Sequence, residues 1–251
     1  MEVNELERNS NASNNNNLYI IIGNLNHRGI LQNLSSHDKP HNTGVILKIN
    51  SKDGSALESN PFSSNPITAK YFAYGIRNSF GNTLHPLMGT IWQTENGASK
   101  YDEVNIVTPG FNRGWIQAMR PIAPSESNLD DLQMLPNSIY LDPQLSWRDP
   151  VALTYIEFIN PTKLGEKYNN VLLIGDYNQG NLYIVSLHKK ERNFMRWVQY
   201  KSFRQSSWWR WRIQFAYIGT NFGGISDKKT GPDCYLYVLS FNDGKLYMIF
   251  K

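Results

Sequence analysis

Hydrophobic positions along the chain come in short runs that are separated by Gly, Pro, Asn and Asp. Examples are NLYIIIG, GVILKIN, KYFAYG, GTIWQTE, DEVNIV, NVLLIGD, NLYIVSL, CYLYVLSF and KLYMIF. No long stretch has the 3.6-residue periodicity of an amphipathic helix, whereas short apolar runs bounded by turn residues are typical of strands. The pattern therefore predicts an all-β fold that is built from many short strands.

A recurring Leu-Tyr pair followed by apolar residues favours one kind of all-β architecture. The pair occurs at Leu18-Tyr19, Leu182-Tyr183, Leu236-Tyr237 and Leu246-Tyr247. The stretch SFNDGKLY is a hairpin signal, because Asp-Gly suits the positive φ angles of a tight turn. Similar strand-turn-strand units indicate β-propeller blades, each of which buries its faces against its neighbours. At about 40 to 50 residues per blade, the chain holds roughly four blades.

The chain ends and loops complete this prediction. Residues 1–17 are polar and Asn-rich, so we expect a disordered start, with the folded domain spanning residues 18–251. Two long irregular connections, residues 34–44 and 120–150, have the length of functional or surface loops.

Composition and charge exclude several classes of protein. Hydrophobic residues make up 40% of the 251 residues, charged residues 18%, and the net charge is +4. A charge this small, without a clustered basic patch, does not favour nucleic-acid binding. No apolar run approaches the roughly 20 residues of a membrane span, and no signal peptide is visible at the start. Cys234 is the one cysteine, so no intrachain disulfide can form, and we expect it to be a small core residue.

Two clusters of ring-bearing residues have simple structural interpretations. The stretch SSWWRWRIQF, residues 206–215, places Trp209, Trp211 and Ile213 at alternate positions, which favours a strand over a stacking surface. His27, His37 and His41 lie in a polar region without a cysteine partner or an H-E-x-x-H motif. Because zinc sites need ligands at fixed short spacings on rigid elements, we expect these to be surface histidines.

The segment from Thr94 to Trp115 concentrates hard oxygen ligands. Glu95, Asp102, Glu103 and Asn105 lie close together among glycines, and calcium prefers carboxylates combined with backbone carbonyls. A solvated acidic turn is the alternative, since EF-hand spacing is absent. Nucleophilic hydrolysis is unsupported, because the chain has no G-x-S-x-G motif and no phosphate-binding glycine loop.

Taken together, these stretches resemble the soluble quinoprotein sugar dehydrogenases of the glucose/sorbosone dehydrogenase family. The family pattern is close to Y-G-x-R-N-x-x-G, then T-E-x-G-x-x-x-x-D-E-x-N, then P-G-x-N-x-G-W. The matching residues are Tyr74, Gly75, Arg77, Asn78, Gly81, Thr94, Glu95, Gly97, Asp102, Glu103, Asn105, Pro109, Gly110, Asn112, Gly114 and Trp115. Upstream GVILKINSKDGSALESNPF and downstream GPDCYLYVLSFNDGKLYMI also resemble family blades, so the resemblance covers nearly all of the chain after residue 17.

This resemblance implies a six-bladed β-propeller that oxidises the anomeric hydroxyl of aldoses. A hydride passes to pyrroloquinoline quinone (PQQ), a calcium ion polarises the quinone, and a histidine takes the hydroxyl proton. Carried over by position, Arg77 and Asn78 contact the quinone. The carbonyls of Gly97 and Ala98 bind the cofactor's calcium, and Glu103 with the carbonyl of Arg113 binds a second, structural calcium.

The chain also departs from the family pattern. The family's catalytic histidine precedes the blade that begins at NLYIIIG, so its region is absent and the catalytic residue is unknown here. The cations that bind the quinone carboxylates read Gly224 to Asp227, and a further lysine position reads Asn178. Arg113 stands where the family has tyrosine. Losing cations should weaken the binding of a tricarboxylate.

Two functional interpretations remain open at the level of sequence. One is a PQQ- and calcium-dependent sugar dehydrogenase, N-terminally truncated here, with a small-molecule sugar as substrate. The other is a degenerate, catalytically inactive propeller fragment that binds a carbohydrate or a protein. An incomplete propeller exposes blade faces, so we expect either a truncated gene product, a misplaced start, or pairing with a second copy of the chain or with complementing blades. The family resemblance implies a location outside the cytoplasm.

Overall fold

The computed structural model describes residues 2–5, 17–35, 38–121, 128–160, 162–189, 203–205 and 211–250. Short 3-10 helices occur in this part of the chain at Ile30–Gln32, Asn128–Asp131, Thr162–Leu164 and Glu166–Tyr168. The strands are β1 (Glu2–Glu5), β2 (Asn17–Ile22), β3 (Val45–Asn50), β4 (Tyr71–Tyr74), β5 (Asn82–Leu84), β6 (Ile91–Glu95), β7 (Asp102–Val107), β8 (Phe111–Asn112), β9 (Ile139–Tyr140), β10 (Leu145–Trp147), β11 (Leu153–Ile159), β12 (Val171–Asp176), β13 (Leu182–Lys189), β14 (Phe203–Gln205), β15 (Trp211–Gly219), β16 (Ile225–Thr230), β17 (Leu236–Ser240) and β18 (Lys245–Ile249). The predicted all-β fold is confirmed.

The chain divides into two compact units. Unit 1 comprises Met1–Ser79 and Ile106–Asp142, and unit 2 comprises Phe80–Asn105 and Pro143–Lys251. Unit 1 carries a six-stranded sheet in the order β1-β2-β3-β4-β8-β9. Its pairs are antiparallel except β4–β8 and β8–β9, which are short and parallel.

Unit 2 carries three sheets. Their strand orders are β14-β10-β7-β6-β5, β11-β12-β13-β15 and β16-β17-β18. The middle strand β12 is buried at every position, which explains why VLLIGD reads as a continuous apolar run rather than an alternating one. The last sheet contains the predicted hairpin: Ser240 pairs with Lys245, and Gly244 in the turn has φ +59°.

Each unit has its own apolar core. In unit 1, Val45 and Leu47 of β3 pack with Leu31, Phe62 and Tyr71. In unit 2, apolar side chains from β12, β13, β16 and β17 form one cluster, which includes Leu173, Leu182, Ile225, Leu236 and Val238. Most of these side chains come from the recurring apolar runs of the sequence, whereas Leu31 and Phe62 come from the connections between strands. The runs therefore supply most of each core.

Sheets within unit 2 approach each other closely at glycines. A Cβ on Gly81 would lie 2.8 Å from the carbonyl oxygen of Thr154 and 2.9 Å from the amide nitrogen of Ile156. A Cβ on Gly175 would lie 2.7 Å from the Ile225 side chain. The glycine that closes the Y-G-x-R-N-x-x-G pattern is therefore required for packing against β11.

Three sequence predictions differ from the structure or lie partly outside it. Glu2–Glu5, in the segment predicted to be disordered, pairs with β2 as strand β1, and residues 6–16 lie outside the described residues. Cys234 is half-buried in a turn with φ +66°, not in the core, because its amide closes a turn onto the carbonyl of Gly231. The strand predicted in residues 206–215 begins at Trp211, and residues 206–210 lie outside the described part.

Candidate functional site

Arg77 and Asn78 follow the end of β4 in unit 1, on a backbone that glycines shape. Gly75 has φ +74°, and a Cβ there would overlap the side-chain oxygen of Asn112. The carbonyl of Arg77 accepts a hydrogen bond of 2.8 Å from the amide of Asn24, and the amide of Ile76 donates to Gly44. Hydrogen bonds with the chain at Asn24 and Gly44 thus hold the backbone of residues 76 and 77. A backbone held in this way can present a charged side chain in a defined position.

The Arg77 guanidinium lies over an aromatic ring. Its central carbon is 5.9 Å from the centroid of the Trp115 ring, a distance at which cation–π attraction operates. Both side chains are half-buried. Arg77 belongs to the first stretch of the family pattern and Trp115 to the last, and the sequence carries no signal for their contact because 38 positions separate them.

Backbone contacts hold Trp115 in that place. Its amide donates to the carbonyl of Gly75 at 3.1 Å, and its carbonyl accepts from the side-chain amide of Asn33 at 2.9 Å. Next to it, the amide of Gly114 donates to the side-chain oxygen of Asn112 at 2.9 Å. Gly75, which follows β4, and Asn33, which lies in the loop before β3, therefore position the ring that contacts Arg77.

Gly97 and Ala98 lie in unit 2, in the turn between β6 and β7. Ala98 is exposed, and Gly97 is packed so tightly that a Cβ would overlap the carbonyl oxygens of Lys100 and Tyr101. Carbonyl-rich turns of this kind suit calcium, which takes backbone oxygens as ligands. Among the described residues, however, no three His, Cys, Asp or Glu side chains are grouped to hold a metal ion.

Asp102 fixes this turn rather than standing free as a ligand. Its Oδ1 accepts from the amide of Gly97 at 3.0 Å, and its Oδ2 accepts from the amides of Val151 and Ala152 at 2.8 and 2.6 Å. Burial raises the pKa of Asp102, and the backbone hydrogen bonds oppose that shift. This brace between the 97–98 turn and the start of β11 was not predicted, because its partners are about 50 positions apart.

Glu103 lies on a polar and buried face of the sheet β14-β10-β7-β6-β5 in unit 2. It pairs in register with Ser146 of β10, and Asn105 points to the same face two residues later. On β6, buried Gln93 donates to buried Glu95 at 2.6 Å. Neither amide atom of Asn105 has a hydrogen-bond partner in the described part of the chain. This face is rich in hard oxygen atoms, as the sequence predicted for the segment.

The carbonyl of Arg113, which the resemblance assigns to a second calcium position, lies in unit 1. The side chain of Arg113 is fully buried and donates from Nη1 to the carbonyl of Ala118 at 3.4 Å. A buried guanidinium would repel a divalent cation close to it, because like charges repel strongly at low dielectric. The second calcium position therefore stays a prediction, and the buried positive charge on the same residue argues against it.

The positions where the family carries quinone-binding cations are packed for small or neutral residues. A Cβ on buried Gly224 would lie 2.7 Å from the Tyr177 ring, so an arginine there would displace that ring. Asn178 donates its side-chain amide to the carbonyl of Pro150 at 3.1 Å. After Asp227, buried Lys228 donates to the carbonyl of Tyr155. The surroundings of Gly224 and Asn178 are therefore filled by contacts within unit 2.

His27 and His41, two of the three histidines that were predicted to lie on the surface, contact each other through their rings. The ring centroids of His27 and His41 are 3.5 Å apart, and His41 shares a 2.8 Å hydrogen bond with the hydroxyl of Thr43. Burial and the nearby His27 lower the pKa of His41. The predicted surface histidines are therefore half-buried partners of each other, while His37 lies outside the described residues. The sequence offered no signal for the contact, since 14 positions separate the two.

Within unit 2, small antiparallel sheets that approach each other closely at glycines are features of a propeller-type protein. The family model "Glucose / Sorbosone dehydrogenase" matches residues 10–248. The chain belongs to the glucose/sorbosone dehydrogenase family.

Individual relatives agree with this assignment. The aldose sugar dehydrogenase YliI of Escherichia coli K12 is 27% identical over 225 residues, which are 89% of this chain and 53% of that protein. The apo form of the soluble aldose sugar dehydrogenase from Escherichia coli matches with a TM-score of 0.63 and 24% identity, covering 93% of this chain and 60% of the other. The chain thus spans about half of the curated relative that it matches.

Two further structures bear on ligands. The PQQ-bound aldose sugar dehydrogenase of Streptomyces coelicolor has a TM-score of 0.59 and 18% identity, over 90% of this chain and 53% of the other. A calcium structure of a Trichoderma reesei carbohydrate-active enzyme has a TM-score of 0.55 and 16% identity, over 93% and 64%. Both neighbours support a fold of the β-propeller type for this chain.

No helix in the described residues is both long and apolar enough to cross a membrane.

Proposed function

We propose that this chain is part of an aldose sugar dehydrogenase-like protein that binds PQQ through Arg77 and Asn78. The observation that carries the proposal is the placement of Arg77 on the Trp115 ring, next to Asn78, on a segment fixed by Gly75 and by the Asn24 amide. A guanidinium held in one orientation can bind a carboxylate through two parallel hydrogen bonds. The amide of Asn78 can donate and accept, which suits a quinone oxygen beside an N–H group.

The proposed roles follow from the chemistry of each side chain. Arg77 binds one carboxylate of the cofactor, and the Trp115 ring restricts the directions in which its guanidinium can move. Asn78 orients the cofactor ring through hydrogen bonds. In unit 2, the carbonyls of Gly97 and Ala98 hold calcium, and Asp102 keeps their turn in shape through the Gly97 amide. When bound, PQQ supplies an electrophilic quinone that accepts a hydride from the anomeric carbon of a sugar.

Proton removal is assigned to no residue of this chain. A general base must come within hydrogen-bond reach of the sugar hydroxyl, and neither His27 nor His41 stands in the family's catalytic position in sequence. The half-buried contact between these two rings also differs from the exposure that a base facing substrate requires. We therefore propose that this chain binds the cofactor and the sugar. Oxidation additionally requires a general base, which we assign to none of the described residues.

A titration of the chain with PQQ tests this function. The absorbance spectrum of PQQ and the quenching of tryptophan fluorescence are followed with calcium and with a chelator. We expect saturable binding that weakens at least tenfold in Arg77→Leu and hardly changes in Arg28→Leu, since Arg28 is an exposed arginine of the same unit. Absence of saturable binding in the wild-type chain would rule out the cofactor role.

One observation favours a second candidate, a propeller that binds a carbohydrate or a protein without redox chemistry. Gly224 and Asn178 stand where the family has cations, and the surroundings of Gly224 are closed by the Tyr177 ring. Binding a tricarboxylate with one arginine in place of several loses much of the electrostatic attraction. Equilibrium binding of a sugar panel without PQQ would distinguish the two. Equal sugar affinity with and without PQQ supports the binding module, whereas sugar-dependent bleaching of the quinone spectrum supports the dehydrogenase.

A further inference from the structure

Two segments of unit 1 hold the backbone at Arg77, and each of them carries one histidine. One segment, residues 23–27, follows β2 and donates a backbone hydrogen bond of 2.8 Å to the carbonyl of Arg77. The other segment, residues 41–44, precedes β3 and accepts a backbone hydrogen bond of 3.1 Å from the amide of Ile76. A separation of the two segments would therefore release the backbone that presents the Arg77 side chain.

The two segments are joined to each other next to the paired strands β2 and β3. The amide of Gly44 donates to the carbonyl of Gly23 at 2.9 Å. Both glycines lie directly against the backbone that they hold. A Cβ on Gly23 would lie 3.0 Å from the carbonyl oxygen of Arg77, and a Cβ on Gly44 would lie 2.9 Å from the carbonyl oxygen of Ile76. This end of the connection therefore consists of backbone contacts alone, which do not titrate.

The rings of His27 and His41 form the second connection between the segments. Their centroids are 3.5 Å apart and their planes lie at 89°. His41 is held by the hydroxyl of Thr43, whereas the buried Nε2 of His27 has no hydrogen-bond partner in the part of the chain that the structure describes. A protonated imidazole carries an N–H group on both ring nitrogens. Protonation of both rings would therefore place two positive charges in contact and leave a buried N–H group without an acceptor.

The charged groups around the rings do not cancel this repulsion. Burial and the nearby His27 lower the pKa of His41 from its ordinary value of 6.5, and the Asp38 carboxylate only partly opposes them. Arg28 and Lys39, which lie near the two histidines in the chain, are exposed cations and bring no negative charge. A ring whose pKa is lower while the segments are in contact favours their separation as the pH falls below 6.5.

We propose that the contact between His27 and His41 is a pH-sensitive switch on the backbone of Arg77. With neutral rings, the two segments stay joined at both ends and the backbone is held. When both rings are protonated they separate, and the displacement of His27 reaches Asn24 through the 2.8 Å hydrogen bond between their backbones. The switch itself rests on contacts within unit 1, whereas its effect on ligand binding, a weakening in acid, rests on the role proposed above for Arg77.

Amide hydrogen exchange of the full chain without ligand tests the switch. NMR gives protection factors at pH 7.5 and pH 5, corrected for the intrinsic dependence of exchange on pH. We expect the protection of the amides of Asn24, Gly44 and Ile76 to fall about tenfold or more at pH 5, while the amides of β12 in unit 2 keep theirs. Unchanged protection of the three amides, or an equal loss in β12, would overturn the proposal.

His27→Gln and His41→Gln assign the effect to the two rings. Each variant leaves one ring with no second charge to repel, so protection of the three amides should change by less than about twofold between the two pH values. Lys39→Gln removes an exposed charge nearby and should keep the dependence of the wild type. A loss of wild-type size in both histidine variants would show that other groups cause it. Since no ligand is present, none of these results depends on whether the chain binds PQQ.

Discussion

Asn33 and Asn112, which lie 79 positions apart, exchange two hydrogen bonds between their side-chain amides. Asn33 Nδ2 donates to Asn112 Oδ1 at 2.9 Å, and Asn112 Nδ2 donates to Asn33 Oδ1 at 2.7 Å. Both side chains are fully buried. The pair joins the loop before β3 to the end of β8, and through the Trp115 carbonyl it reaches the ring that contacts Arg77.

We expect this pair to be strongly coupled in stability. Asn33 has φ +57°, so Asn33→Gly removes the amide without adding backbone strain. Asn33→Gly and Asn112→Ala should each cost about 2 to 3 kcal/mol, because buried partners lose their hydrogen bonds. In the double variant the losses should overlap by about 1 to 2 kcal/mol. Urea unfolding of the four proteins gives these values, and Asn42→Ala, at an exposed position, is the control. Additive losses would show that the two amides act independently.

We expect the Asp102 carboxylate to contribute strongly to the free energy of unfolding, because it accepts three backbone hydrogen bonds. Asp102→Ala leaves the amides of Gly97, Val151 and Ala152 without their acceptor, and we expect a loss of about 3 kcal/mol or more. Asp102→Asn keeps one acceptor oxygen and should lose less. The measurement is the free energy of unfolding in urea, with the exposed Asp149→Ala as the matched control. A loss in Asp102→Ala no larger than in the control would contradict the bracing role.

The raised pKa of the Tyr71 hydroxyl predicts a loss of folding stability at alkaline pH. Burial raises its pKa from the model-peptide value of 10.0 to about 12, and the residue is 1% exposed. A group whose pKa is higher in the folded state stabilises the fold below the unfolded pKa, and this contribution disappears as the pH rises through the folded pKa. The decline therefore falls between pH 10 and pH 12 and amounts to about 3 kcal/mol at most.

The comparison of wild type with Tyr71→Phe isolates this contribution from the other tyrosines. Urea unfolding at pH 8 should give similar free energies for the two proteins, and by pH 11 the variant should be the more stable one. Parallel curves across this range would show that the Tyr71 hydroxyl ionises equally easily in both states.

The last sheet of unit 2 should promote self-association. Its outer face exposes Leu239 and Leu246, which pair directly across β17 and β18, at 42% and 63% of their surfaces, with Met248 and Phe250 exposed beside them. Contiguous apolar surface of this kind is typical of interaction sites. We expect sedimentation velocity to show concentration-dependent association, which the double substitution Leu239→Lys with Leu246→Glu abolishes. Leu87→Lys, at a leucine in a turn that is even more exposed, should leave association unchanged, and a wild type that is monomeric at every concentration would contradict the prediction.

Local pattern was sufficient for much of the fold. The short apolar runs of GVILKIN, NVLLIGD and CYLYVLSF became β3, β12 and β17, because an apolar run and the turn residues that bound it are near neighbours in the chain. The Asp-Gly hairpin formed between β17 and β18 for the same reason. In the N-terminal segment, composition indicated disorder, yet Glu2–Glu5 pairs with β2, because strand pairing depends on an available edge and not only on composition.

Sequence patterns were sufficient to predict the family, the all-β class and the residues proposed to contact cofactor and calcium. The contacts that hold those residues in place became visible in the folded chain. The Trp115 ring on Arg77, the amide pair of Asn33 and Asn112, and the Asp102 brace each join positions far apart in the chain. The burial of the Arg113 guanidinium was also invisible in sequence. The physical reason is that burial and hydrogen-bond partners arise from long-range packing, whereas sequence patterns report the periodicity of neighbouring residues.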